Sequence, residues 1–147
     1  VSDENIIRVA AVVVLDAQQR VLTVRKRGTS RFMQPGGKPE PGESGAATAI
    51  REAQEEIGLT LTADQLRPMG SFSAAAANEE KFTVVCENFL VQFHEEAEAI
   101  LTQLEPAAEI AELQWIPLDE LQPREDLAPL LTEEVAPAVG TLLVDNA

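Results

Sequence analysis

From Ile6 to Leu15 the chain is apolar at nearly every position and rich in β-branched side chains, so neither face suits water and an inner strand is predicted. Asp16-Ala17-Gln18-Gln19 interrupts the run and leads into Val21 to Arg25, which reads as the second arm of a hairpin. Gly28 to Pro41 reads as a loop, with Phe32-Met33-Gln34 a short strand before Pro35-Gly36-Gly37. Pro39, Pro41 and Gly42 delay the next element, a helix starting at Glu43 or Ser44 and ending at Gly58 in a left-handed cap. Met69 to Ala77 and Phe82 to Phe93 read as strands joined through Asn78-Glu79-Glu80, and Leu113 to Ile116 adds another. In the last segment, Leu127, Leu130, Leu131, Val135, Val139 and Leu142 form a helical stripe that Pro137 is expected to kink. No internal repeat or low-complexity linker interrupts this order. Residues 1–147 therefore read as one α/β domain, strands with helices on both faces.

With 147 residues and 45% apolar content the chain can bury a respectable core, and a second domain has no room. The formal net charge of −14 argues against nucleic-acid partners, whose binding relies on Lys and Arg neutralising backbone phosphates. Charge is uneven, however. Thirteen acids and a single base, Arg124, follow His94, whereas Arg25, Lys26, Arg27, Arg31 and Lys38 crowd five of the eleven bases into fourteen positions. Small phosphorylated ligands fit that basic segment. No run approaches the ~20 apolar residues of a spanning helix, so no membrane partner is expected. Val9 to Leu15 is short, is preceded by Asp3 and Glu4, and lacks a cleavage-like sequel, which favours a strand over a secretory signal. The lone Cys86 cannot form an intramolecular disulfide and sits among apolar neighbours, which suits a buried strand residue in a reducing cytoplasm.

The candidate chemistry lies between Gly37 and Leu59, GKPEPGESGAATAIREAQEEIGL. At about 100° per residue, Ala46, Ala49, Ile50, Ala53 and Ile57 fall on one side and Glu52, Glu55 and Glu56 on another. Glu52 and Glu56 stand at i,i+4 and Glu55 one turn from Glu52, where like charges destabilise an isolated helix. A divalent cation removes that conflict. Mg²⁺ and Mn²⁺ prefer oxygen ligands and complete their shells with water and substrate phosphates.

The same stretch matches every fixed position of the pattern G-x5-E-x7-R-E-U-x-E-E-x-G-U, where U is a bulky apolar residue, and so resembles the Nudix hydrolase family, of the MutT-like kind. The fixed residues are Gly37, Glu43, Arg51, Glu52, Glu55, Glu56 and Gly58. Ala53 takes the first U place, where a larger residue is more usual, which suggests a tight contact between helix and sheet. The resemblance implies an α/β/α sandwich around a mixed β-sheet. It further implies Mg²⁺-dependent, or Mn²⁺-dependent, hydrolysis of the diphosphate bond in a nucleoside diphosphate linked to another group. Glu55 and Glu56 are the implied principal ligands, helped by the Gly36 carbonyl and Glu52. Glu52 is also the candidate for orienting or deprotonating the attacking water, and Arg51 for orienting a glutamate. Gly37, Glu43 and Gly58 are assigned structural places in the motif. A further acidic ligand beyond the motif is sought among Glu95, Glu96 and Glu98.

For the substrate, Arg27 and Arg31 in the basic loop are the expected phosphate contacts. Phe32 is a candidate for stacking on a base, with core packing the commoner fate of such a Phe. Asn78 is a candidate for reading a base edge. Trp115 is assigned to the core and His94 to a strand end. (Deoxy)nucleoside triphosphates or oxidised nucleotides are the expected substrate class. ADP-ribose or nucleotide-sugar cleavage is the alternative, as is a non-catalytic nucleotide-sensing module. Relatives that cleave dinucleoside polyphosphates often carry a downstream Tyr, and this chain has none. Some that cleave ADP-ribose carry a Pro where Ala74 to Ala77 stand here. A homodimer is the assembly that similar proteins suggest.

Overall fold

The computed structural model describes residues 5–76, 81–122 and 124–145. Its centre is β1 (Ile6–Leu15), the doubly apolar segment. β1 pairs in parallel with β5 (Thr83–Gln92) along its whole length, from Ile6 opposite Thr83 to Leu15 opposite Gln92. It meets β2 (Arg20–Lys26) only through Leu15 and Val21, so β1 and β2 splay apart beyond their turn. The short β3 (Gly36–Gly37) enters that opening and pairs with Ala10 and Ala11. β4 (Arg67–Ala75) lies antiparallel on β5, and β6 (Ile110–Pro117) antiparallel on β2, giving the order β4-β5-β1-β2-β6. β6 is longer than the apolar pattern predicts because β2 supplies hydrogen-bond partners from Arg20 to Lys26. Phe32 and Met33 make isolated bridges, to Leu127 and Val24, in place of a regular short strand.

The alternation of side chains across the sheet builds two cores. Val12, Val14, Leu22, Phe89 and Val91 face α1 (Gly45–Ile57) and its Ala49, Ala53 and Ile57. Ala11, Val13, Leu15, Cys86 and Leu90 face Leu127 and, from the C-terminal helix, Leu131, Val135 and Val139. The result is a mixed sheet between helices, an α/β/α arrangement. Ala53 is fully buried against this sheet, as its small size suggests.

Ser44 caps α1 by accepting the Ala47 N–H at 3.1 Å, one of the donors that a helix start leaves unpaired. Gly58, at φ 72, ends it, its N–H reaching Gln54 and that of Leu59 reaching Ala53. After β5, α2 (Glu98–Leu101) is a single turn anchored by buried Leu101. At the C-terminal end the winding changes before Pro137: Leu130–Val135 is π-helical, and α3 (Ala136–Asp145) continues it. The ring of Pro137, which has no N–H to donate, thus falls where the hydrogen-bond ladder changes step. Among the described residues no helix is long and apolar enough to cross a membrane.

Candidate active site

Consecutive residues on a helix point about 100° apart, so on the face that carries the three glutamates Glu55 stands off the direction that Glu52 and Glu56, one turn apart, share. The fold uses this difference. Glu56 is 1% exposed and Glu52 half-buried, both turned toward the seam between α1 and β3. The Glu55 side chain stays 52% exposed, and Arg51 Nη1 donates to it at 3.3 Å. The sequence expectation made Glu55 and Glu56 the principal pair. The structure instead gathers Glu52, Glu56 and Glu109, whose nearest carboxylate oxygens all lie within 4.8 Å of one another.

Burial strips water from the Glu56 carboxyl and pushes its pKa up to about 8, against the Gly36 N–H that favours the anion. The Gly36 N–H donates to Oε1 at 3.0 Å. Oε2 is buried and has no hydrogen-bond partner among the described residues. A buried, unpaired carboxylate oxygen beside two other carboxylates is costly unless a cation serves all three, and an all-oxygen set suits Mg²⁺ or Mn²⁺. The residues present therefore fit such an ion. Burial also raises the pKa of Glu52, partly offset by the hydrogen bond from Arg51.

The glycines of β3 let helix and sheet approach this closely. A Cβ on Gly37 would stand 2.5 Å from the Glu52 carboxyl carbon, and one on Gly36 would run into the backbone of Ala11 at 2.7 Å. Arg51 braces the assembly. Its Nε and Nη2 donate to the two Glu43 oxygens at 2.8 and 2.9 Å, its Nη1 to Glu52 at 2.8 Å, and Nη2 also to the Lys38 carbonyl at 3.1 Å. That fork holds the Glu43 carboxyl down at about 2, and Glu43 also accepts from the Glu40 N–H and the Thr48 hydroxyl. Glu43 thus ties the pre-helix loop to α1.

Glu109 comes from the loop before β6. Ala107 donates its N–H to the Glu56 carbonyl at 2.9 Å, and Arg27 spans the other side, its N–H on the Glu109 carbonyl at 2.8 Å and its Nη1 on the Ala108 carbonyl at 2.7 Å. Ala108 has φ 54, a left-handed conformation uncommon for a residue with a Cβ. Sequence reasoning passed over Glu109 and looked instead to Glu95, Glu96 and Glu98, which lie beyond the far end of β5 in a 3-10 turn and the start of α2. The one signal available was its place directly before the closing strand.

Beside the carboxylates opens a cavity of about 440 Å³. Glu52, Glu109, Lys26 and Lys38 are on its wall with Thr29 and Gln34, and apolar side chains of β1, β5 and the C-terminal helix line much of the rest. Lys26 and Lys38 are the bases on this wall. Arg27 is engaged with the Glu109 loop, and neither Arg27 nor Arg31 lines the cavity. Phe32 does not line it either. It is buried in the core with Leu127 and Leu131, because its backbone is pinned between Asp126 and Ala128. Asn78 lies outside the described residues. Cys86 is buried, as expected, and desolvation pushes its thiol up to about 12. Trp115 is partly buried, with Arg20 5.7 Å above its ring.

The family model of the NUDIX domain matches residues 5–137. The chain belongs to the Nudix family. An uncharacterised Nudix hydrolase of Bacillus subtilis (strain 168), YvcI, is 29% identical over 109 residues, 74% of this chain and 65% of that protein. A second protein of the same strain, provisionally assigned as an 8-oxo-dGTP diphosphatase, is 41% identical over 49 residues, 33% of either chain. The matches to these two curated relatives thus span a third and 65% of their lengths. The Nudix fold is also that of the MutT protein from Methanosarcina mazei Go1, with a TM-score of 0.73 and 18% identity over 99% of both chains.

Proposed function

We propose that this Nudix protein is a pyrophosphohydrolase that uses Mg²⁺, or Mn²⁺, to cleave the diphosphate bond of a nucleoside diphosphate linked to another group, with (deoxy)nucleoside triphosphates or oxidised nucleotides as the substrate class. One observation carries the reading: the buried, unpaired Oε2 of Glu56 stands with Glu52 and Glu109 beside a cavity large enough for a nucleotide. The likeness to the provisionally assigned 8-oxo-dGTP diphosphatase supports this choice of substrate class.

Glu52, Glu56 and Glu109 would hold the ion, with the Gly36 carbonyl as a neutral ligand. An ion held there would supply charge neutralisation at the diphosphate oxygens, which makes phosphorus more electrophilic and the leaving group more stable. Lys26 and Lys38 offset the remaining phosphate charge from the cavity wall. Glu52 has one oxygen engaged by Arg51, which fixes its orientation. Glu109 accepts no hydrogen bond among the described residues, so with one oxygen on the ion its other oxygen would be open to orient the water and take its proton.

A panel of triphosphates, 8-oxo-dGTP, ADP-ribose, nucleotide sugars and dinucleoside polyphosphates, incubated with Mg²⁺ and resolved by chromatography, tests the proposal. Cleavage of triphosphates or oxidised nucleotides is expected, with a drop of about 10²-fold or more in Glu56→Gln. Absence of cleavage across the panel, or wild-type rates in that variant, rejects it.

A further inference from the structure

Asn88, fully buried in β5, ties the sheet to the cavity wall. Its Nδ2 donates to the Cys86 carbonyl at 2.8 Å. A backbone carbonyl can only accept, so this contact sets which end of the Asn88 amide is NH₂ and leaves Oδ1 as the acceptor on the other side. Two groups converge on that oxygen: Gln34 Nε2 at 3.0 Å and the Cys86 thiol at 3.4 Å. The thiol stays protonated in its apolar surroundings and serves as a donor. Orientation therefore passes from the Cys86 carbonyl through Asn88 to Gln34. The Gln34 amide must turn its NH₂ to Asn88 and its carbonyl oxygen the other way.

Gln34 is 6% exposed, and what it exposes is on the cavity wall. Its Oε1 accepts no hydrogen bond among the described residues. The same cavity is lined by Val9, Val84, Cys86 and Leu131, none of which offers a strong hydrogen-bonding group. Thr29, also on the wall, spends its hydroxyl proton on the Lys26 carbonyl at 2.8 Å. A flat ligand in the apolar part of the cavity thus meets a recessed acceptor whose direction is fixed by a buried network.

We propose that Gln34 Oε1 selects the nucleobase, favouring one with a projecting exocyclic amine over its keto counterpart. This rests on the nucleotide reading of the cavity given above. An exocyclic amine stands out beyond the ring and reaches a recessed oxygen. The ring N–H of a keto base is flanked by at least one carbonyl oxygen that projects as far, and that oxygen would bring its lone pairs against Oε1. A site built around a buried polar group discriminates strongly, because a mismatched base leaves that group unpaired.

The test is equilibrium binding, which needs no turnover. Dissociation constants for the amine/keto pairs ADP against IDP and CDP against UDP, and for GDP against IDP, which differ only in the presence of the 2-amine, are measured by calorimetry with Ca²⁺, for wild type and Gln34→Leu. Wild type is expected to bind the amine-bearing member of at least one pair about 10-fold more tightly, and Gln34→Leu to bring that ratio to within about twofold of one. Equal affinities within every pair in the wild type, a preference for the members without the amine, or no binding of any of the five nucleotides overturns the assignment. So does a preference that survives in a folded Gln34→Leu protein, and the wild-type ratios decide the matter if that variant does not fold. An amine preference in binding, together with no cleavage of any substrate in the panel, would leave Gln34 in place and remove only the hydrolase reading.

Discussion

Replacing Glu56 by Gln should stabilise the metal-free protein at neutral pH while abolishing its function. The Glu56 carboxyl ionises near 4.5 in the unfolded chain and at about 8 in the folded one, burial being the main cause. Between these values the folded state keeps a proton that the unfolded state has lost, so stability falls as pH rises through the window and levels off above about 8. Each pH unit crossed removes about 1.4 kcal/mol, on the order of 3 to 5 kcal/mol in all. Burial raises Glu52 as well, and it acts in the same direction. Glu43 has the opposite sign, but its contribution is lost only as pH falls from 4.5 toward 2, outside this window. A glutamine at position 56 can still accept the Gly36 N–H, and its NH₂ can donate toward Glu52 or Glu109. Urea denaturation followed by circular dichroism, with a chelator at pH 5, 6.5 and 8, reads the difference directly. The two proteins should match near pH 5, and the variant midpoint should exceed wild type by roughly 2 M at pH 8. Added Mg²⁺ should raise the wild-type midpoint at pH 8 and leave the variant unmoved. A wild-type midpoint that does not fall between pH 5 and 8, or a variant less stable than wild type at pH 8, refutes the reasoning.

Two shorter tests address the supports of the cluster. Arg27→Ala frees the loop carrying Glu109, so the Mg²⁺ concentration for half-maximal activity should rise about 10-fold while the nucleotide KM at saturating Mg²⁺ changes little; the reverse pattern would return Arg27 to the phosphates. Gly37→Ala places a methyl against the Glu52 carboxyl, and a loss of about 10-fold or more in Mg²⁺ affinity by titration is expected, with unchanged affinity showing that β3 can yield.

What could be read in the sequence was what local geometry decides. The strands β1 and β5 follow from their apolar runs, the start and stop of α1 from Ser44 and Gly58, and the partnership of Glu52 with Glu56 from the turn of a helix. What escaped depends on distant pairings. Glu109 reaches the cluster because β6 lies on β2 and because the loop before it docks on the last turn of α1, neither of which leaves a local mark. Phe32 is drawn into the core by a bridge to Leu127, nearly a hundred residues away along the chain. Positive charge alone did not separate Arg27, committed to backbone carbonyls, from Lys26 and Lys38 on the cavity wall. Gln34 is legible only once its amide is followed back to Asn88.

The parallel union of β1 and β5 also bears on how the chain is made. Ile6 cannot find its neighbour until Thr83 has been synthesised, and closing a chain segment of nearly eighty residues carries a large entropic barrier. During synthesis the most apolar strand of the protein must wait, with the edge facing β5 open, while the segments between emerge from the ribosome. Folding should therefore be slow for a chain of this length, and the nascent Ile6–Leu15 segment is the natural place for a chaperone to bind.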